Sequence, residues 1–164
     1  MAADITVRDA RAEDAEAFVR AYEASWDAMA APLVGKSLAD FASFESRLES
    51  FRSGLEQSSE DARILVAERD GTIVGSAVCI REGETCELRS LYVGPEAWGA
   101  GTAQRLQESA LDAARGRGAT EALLWVVEGN ARARRFYERE GWAPDGETRA
   151  SPLGPTEVRY RRSL

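Results

Sequence analysis

A chain of 164 residues with 44% hydrophobic and 30% charged residues has the composition of a folded protein, and its length predicts one domain over residues 1–164. Asp and Glu outnumber Lys and Arg by 28 to 21, a net charge of -7, which argues against the basic footprint of a nucleic-acid binder. Histidine is absent and only two cysteines occur, so histidine-based nucleophilic triads, histidine metal sites and four-cysteine zinc sites are excluded.

Met1 to Arg8 lacks the basic-then-apolar order of a signal peptide, and no run approaches the roughly 20 apolar residues of a membrane span. A cytoplasmic protein without membrane attachment is therefore expected. Ile5–Val7 predicts a short strand. Asp9 or Ala12 to Asp27 predicts a helix, with Ala15, Phe18, Val19, Tyr22 and Trp26 at three- and four-residue spacing. Pro32 and Gly35 break the pattern between Ala30 and Lys36. A second helix is predicted from Ser37 to Glu56, striped by Leu38, Phe41, Phe44, Leu48, Phe51 and Leu55, with Ser37 and Asp40 as its start signal. Three strands follow, Arg63–Arg69, Thr72–Arg81 and Thr85–Val93, joined by tight turns at Asp70-Gly71 and Glu82-Gly83. This antiparallel meander ends at Gly94-Pro95. Thr102–Gly116 is predicted helical, and Ala122–Val127 is a strand apolar on both faces. Ala131–Glu140 is helical up to the stop at Gly141, and Trp142–Ala150 and Glu157–Arg162 form a last pair of strands. The alternation is that of an α/β domain with a mixed sheet.

The loop between Val93 and the helix at Thr102 carries Gly99 and Gly101. Backbone amides at a helix start are unpaired, and the helix dipole favours an anion there. Small residues let a diphosphate approach those amides without collision. A glycine-softened turn that binds nothing reads equally well on local grounds. Two better-known loops are rejected: the dinucleotide fingerprint needs glycine where Gln104 stands, and the P-loop needs lysine where Ala100 stands.

The run Leu91-Tyr92-Val93-x-Pro95, then Gly99-x-Gly101-x-Ala103-x-x-Leu106, resembles the acetyl-CoA loop of the GNAT family of N-acetyltransferases. Downstream, Leu124-Trp125-Val126-Val127-x-x-Asn130-x-x-Ala133-x-x-Phe136-Tyr137-x-x-x-Gly141-Trp142 resembles that family's second hallmark segment. Element order is similar along nearly the whole chain. The resemblance implies an α/β fold with a mixed, mostly antiparallel sheet of about seven strands, flanked by about four helices and splayed at an acetyl-CoA cleft. It implies acetyl-CoA as co-substrate and no metal. Cofactor contacts are expected from Leu91, Tyr92 and Val93, from Trp98, Gly99, Ala100, Gly101, Thr102 and Ala103, and from Asn130, Ala133 and Tyr137. One position departs from the family, which usually carries Gln or Arg where Trp98 stands. A side-chain contact to phosphate is lost there, and Arg105, Arg132 or Arg134 are the cations that could replace it.

Acetyl transfer to an amine sets three requirements. The acceptor must be neutral, yet an ammonium with pKa near 10.4 is only about one part in a thousand free at pH 7. The oxyanion of the tetrahedral intermediate needs donors, expected from a backbone amide of the strand ending at Val93. The leaving thiolate needs a proton or a charge partner. Asn130 and Tyr137 are seven residues apart and share a helix face. The family's matching tyrosine points at the thioester sulfur, which makes Tyr137 the acid candidate; a core position beside Phe136 is the alternative. Glu87 is the base candidate, directly or through water. Strand alternation puts it on one face with Arg89, Leu91 and Val93 if no bulge intervenes. An ion pair with Arg89 or Arg81 is its bland alternative, and Glu128 is a second choice of base. Tyr22, Trp26, Asp27 and Met29 cluster where an acceptor pocket is expected, although Tyr22 and Trp26 fit a core stripe equally well.

The leading expectation is an N-acetyltransferase acting on a primary amine of a small molecule, with no nucleic-acid partner and, by resemblance alone, a homodimer. Acetylation of a protein N-terminus or lysine, and a non-catalytic acyl-CoA-binding module, remain open. A two-residue turn at Glu82-Gly83 would set Cys79 opposite Cys86, roughly 4.5–5.5 Å apart and within disulfide range. A reducing compartment predicts two free thiols instead.

Overall fold

In a computed structural model, the strands are β1 (Ile5–Asp9), β2 (Ala62–Arg69), β3 (Thr72–Glu82), β4 (Thr85–Val93), β5 (Glu121–Val127), β6 (Ala143–Ala150) and β7 (Thr156–Ser163). They form one seven-stranded sheet in the order β1-β2-β3-β4-β5-β7-β6. The structure describes residues 4–164; Met1, Ala2 and Ala3, part of the segment read for targeting, lie outside the described residues. Five helices flank the sheet: α1 (Ala15–Met29), α2 (Ala31–Val34), α3 (Phe44–Glu56), α4 (Thr102–Gly116) and α5 (Ala131–Arg139). The fifth, beyond the expected four, is the single turn of α2, which starts with Pro32 in its first turn and stops at Gly35 with φ +73°. Among the described residues, no helix is long and apolar enough to cross a membrane.

Two cores sandwich the sheet. On one face, Leu106, Ala110 and Leu111 of α4 pack on Leu65, Ala77, Leu88 and Leu124. On the other, Phe18 and Val19 of α1 and Phe51 of α3 pack on Val66 and Ile73. Each fully buried Leu or Val contributes about 1.5–3 kcal/mol relative to exposure. These helices thus hold β2, β3 and β4 from both sides.

The meander is where the cleft originates. Asp70 (φ 51°) and Gly71 (φ 76°) make the β2–β3 turn, both in the left-handed region as a type I′ hairpin requires. The β3–β4 turn is not Glu82-Gly83 as expected but Gly83-Glu84, because Glu82 pairs with Thr85. Gly83, at φ +60°, takes the first central position, where a glycine is favoured. Register therefore shifts: Cys79 faces Leu88, and Cys86 faces Arg81. Both cysteines are buried free thiols. The neighbouring Cys79 and, after it, burial push the Cys86 thiol up.

A bulge then breaks β4. Val78 pairs with Ser90 and Cys79 with Leu88, leaving Arg89 as the extra residue. Side chains after it swap faces, so Cys86 and Leu88 share a core with Leu91 and Val93. Glu87 therefore does not share a face with Leu91 and Val93, which corrects the alternation expected without a bulge. Past the bulge, β4 also leaves its parallel neighbour. The β4–β5 pairing comprises Thr85↔Glu121, Cys86↔Ala122 and Glu87↔Leu123. Beyond these, no strand among the described residues pairs with Leu88–Val93 on the β5 side, and the sheet opens into a wedge.

The second predicted helix is also corrected. Ser37 and Asp40 do form a reciprocal cap, but on a 3-10 turn at Leu38–Asp40. The chain then restarts as α3, whose N-cap Ser43 accepts from the Ser46 amide at 3.1 Å.

Candidate functional site

A cleft of about 530 Å³ occupies the wedge, a size suited to a small organic ligand. Leu91 and Val93 supply its β4 wall; Trp98, Gly99 and Gly101 supply the loop. Thr102 and Ala103 of α4, and Asn130, Ala133 and Tyr137 of α5, complete the expected set that lines it. Tyr92 and Ala100 do not line it, and Tyr92 lies instead on the α1 side, its ring 4.6 Å from that of Tyr22.

The loop leaves its backbone open at two glycines. Gly99 and Gly101 both have φ of 76°, which a side chain would strain, and open space surrounds the position of an added Cβ on each. Gly101 precedes Thr102, and the first main-chain bond of α4 runs from the Arg105 amide to the Gly101 carbonyl at 3.0 Å. The amides of Thr102, Ala103 and Gln104 thus precede the helical ladder and carry the positive end of the dipole. Thr102 is buried and donates its hydroxyl to the Ala97 carbonyl at 3.3 Å, fixing the helix start.

Trp98 is anchored rather than free. Its indole Nε1 donates to the Val93 carbonyl at 2.8 Å, and the Arg132 guanidinium lies 3.7 Å from the centre of its ring. That stacking joins the loop to the start of α5. The other two compensating cations are committed elsewhere: Arg105 donates to Asp4 and the Ile5 carbonyl, and Arg134 to the Tyr160 hydroxyl and the Glu128 carbonyl.

Asn130 is the N-cap of α5, its Oδ1 accepting from the Ala133 amide at 3.1 Å. Tyr137 projects from the same helix face into the cleft and is 9% exposed. Its ring packs between those of Phe136 and Trp142, at 5.3 and 6.0 Å. Burial pushes its phenol above the ordinary tyrosine value. The hydroxyl makes no hydrogen bond among the described residues, so its proton remains available to a group in the cleft.

The acceptor-side residues are dispersed. Met29 lines the cleft, together with Ala28, which sequence reasoning passed over. Trp26 is 3% exposed and packs edge-on to Phe41. Asp27 accepts from the Leu38 amide at 2.8 Å and so pins the loop after α2. Tyr22 is held against Tyr92, and burial raises both phenols, that of Tyr92 further through Tyr22, Tyr137 and Glu157. Glu87 accepts from Arg89 Nε at 3.3 Å. Of the arginines clustered in sequence at Arg132, Arg134 and Arg135, a grouping suited to a small anionic ligand, Arg132 and Arg135 line the cleft. Phe136 and Arg139 also line it and were missed, the spacing of Arg139 from Arg132 and Arg135 being the available signal.

The family described as the acetyltransferase (GNAT) family matches residues 18–142. The chain is a GNAT-family N-acetyltransferase. An uncharacterized N-acetyltransferase of Archaeoglobus fulgidus is 33% identical over 139 residues, covering 80% of this chain and 88% of that one. One from Mycobacterium tuberculosis is 41% identical over 92 residues, 56% of this chain and 58% of its own. In fold, the GNAT chain is similar to the PaiA N-acetyltransferase of Thermoplasma acidophilum solved with coenzyme A, at TM-score 0.79 and 20% identity over 98% of this chain and 99% of that one.

Proposed function

We propose that this GNAT enzyme transfers an acetyl group from acetyl-CoA to a primary amine of a small molecule. The observation that carries the reading is one continuous cleft joining the amide-lined glycine loop, Tyr137 and the end of α1 at Met29. Bound acetyl-CoA supplies an activated acyl group: the amine nitrogen bonds to the carbonyl carbon, the C–S bond breaks, and coenzyme A leaves as thiolate. The chain's contribution is electrostatic and positional. Gly99, Gly101 and the first amides of α4 receive the diphosphate, and the unpaired edge of β4 at Leu91–Val93 receives the pantetheine and the developing oxyanion. Tyr137, kept protonated by burial, gives its proton to the thiolate. Glu87, on the face of β4 opposite Leu91 and Val93, takes the amine's proton through water. Ala28 and Met29 belong to a helix end pinned by Asp27, which supports an acceptor of limited size with some apolar body.

The test is thermal unfolding with and without acetyl-CoA, beside Gly101→Glu. Ligand at 100-fold over its dissociation constant stabilises by roughly 2.7 kcal/mol, a rise of roughly 5–10 °C for a chain this size. The rise is expected in the native protein and not in the variant, each compared with its own ligand-free midpoint. No rise at saturating ligand overturns the donor assignment. With the donor established, thiol release on an amine library checks the acceptor; turnover on peptide amines alone overturns the small-molecule assignment.

A further inference from the structure

Arg132, Arg135 and Arg139 stand at i, i+3 and i+7, which places them along one face of α5. All three line the cleft and are exposed. The arginines of β6 and β7 are engaged by carboxylates: Arg149 with Glu157, Arg159 and Arg161 with Asp145, Arg162 with Glu108. None of the α5 row has an ion-pair or hydrogen-bond partner among the described residues; Arg132 is held only by its stacking on Trp98. The single carboxylate on the cleft wall, Glu140, is occupied by the amide of Gln107 at 3.1 Å. Three like charges on adjacent turns repel one another, so an anion bound along them gains from all three.

The row extends about 10 Å along the helix. Its first member stacks on Trp98 of the glycine loop, where a diphosphate is expected, and its later members follow about one and two turns along α5 on the same cleft wall. Coenzyme A carries two anionic groups separated by a ribose: the diphosphate and a 3′-phosphate monoester with roughly -1.5 to -2 charge at pH 7. We propose that Arg132 supports the diphosphate while Arg135 and Arg139 bind the 3′-phosphate, so that the enzyme selects donors carrying that group. The proposal rests on the acetyl-CoA reading. Guanidinium forks suit a phosphate monoester, and each charged hydrogen bond would strengthen binding selectively for the 3′-phosphorylated form.

Calorimetric titration with coenzyme A and with dephospho-coenzyme A, which lacks only the 3′-phosphate, tests this in the native protein and in Arg135→Ala/Arg139→Ala. Both substitutions lie on the surface, and a thermal melt of the ligand-free variant checks its fold. The native protein is expected to prefer coenzyme A by roughly ten- to a hundredfold. The double variant should lose that preference while retaining its affinity for dephospho-coenzyme A. Equal affinities in the native protein, or a preference that survives in the variant, overturn the proposal. Binding of neither compound overturns the acetyl-CoA reading itself, and this inference with it.

Discussion

In the proposed mechanism Tyr137 is both core and catalyst. Its ring fills the space between Phe136, Trp142 and Tyr160, while its hydroxyl is left for the cleft. Because burial raises its pKa, the phenol remains protonated across neutral pH and can donate throughout. In the proposed mechanism Tyr137→Phe keeps the ring and removes the proton. Steady-state kinetics should show kcat lower by about a hundredfold, with the thermal rise on acetyl-CoA preserved. An unchanged kcat would remove the residue from the chemistry and leave it as packing. Glu87→Gln, assayed alongside, should lower kcat with the same preserved rise, since the carboxylate lies on the face of β4 away from Leu91 and Val93.

At the level of elements, α5 must stay registered against α4 for Tyr137 to face the cleft. A buried amide network does this. Gln107, fully buried in α4, accepts from Trp142 Nε1 at 3.1 Å and donates to Glu140 at 3.1 Å, just past the end of α5. Gln107→Leu leaves the indole N–H of Trp142, itself 2% exposed, without a partner. The expected loss is about 1–3 kcal/mol in urea unfolding. Adding Trp142→Phe should recover part of it, and a strictly additive double variant would show that the pair is not coupled. Much of this framework was readable from the chain. β4 and α4 fall where predicted, because Gly94-Pro95 and the glycine pair mark their ends, and Asp70-Gly71 demands its turn. What escaped depended on single residues. The extra Arg89 looks like an ordinary member of an alternating strand, yet it decides which face Glu87 takes. The stripe from Leu38 to Leu55 reads as one helix, but the hydroxyl of Ser43 starts a new one. Asn130 and Ala133 were legible from motif spacing, whereas the anchoring of Trp98 by Val93 and Arg132 depends on tertiary geometry that no local pattern encodes.

For the whole molecule, the excess of carboxylates makes acid the condition that tests the fold. Asp14, 8% exposed at its side chain, accepts two hydrogen bonds from Arg8 at 2.8 and 2.9 Å. Arg8 also bonds Glu68 on β2, so this cluster ties β1 and β2 to the entry of α1. The Arg8 guanidinium holds the Asp14 carboxyl below its ordinary 3.8. Across the molecule, Asp61 lies between Arg81 and Arg117, which lower it to about 2. Both carboxylates bind protons more weakly in the folded state than in the unfolded one. Their contribution is therefore fully present above the unfolded value and is lost as pH falls through the folded one. With no histidine in the chain, urea unfolding free energy should be nearly flat from about pH 5 to 7 and fall steeply below about pH 4. Asp14→Asn should lower stability at pH 7 by about 1–2 kcal/mol through loss of the charged hydrogen bonds. It should also flatten the acid limb, because the variant has one fewer depressed carboxyl to protonate. A variant that loses stability equally at pH 7 and pH 3 would show that Asp14 acts through packing, with its charge contributing nothing to the link between helix and sheet.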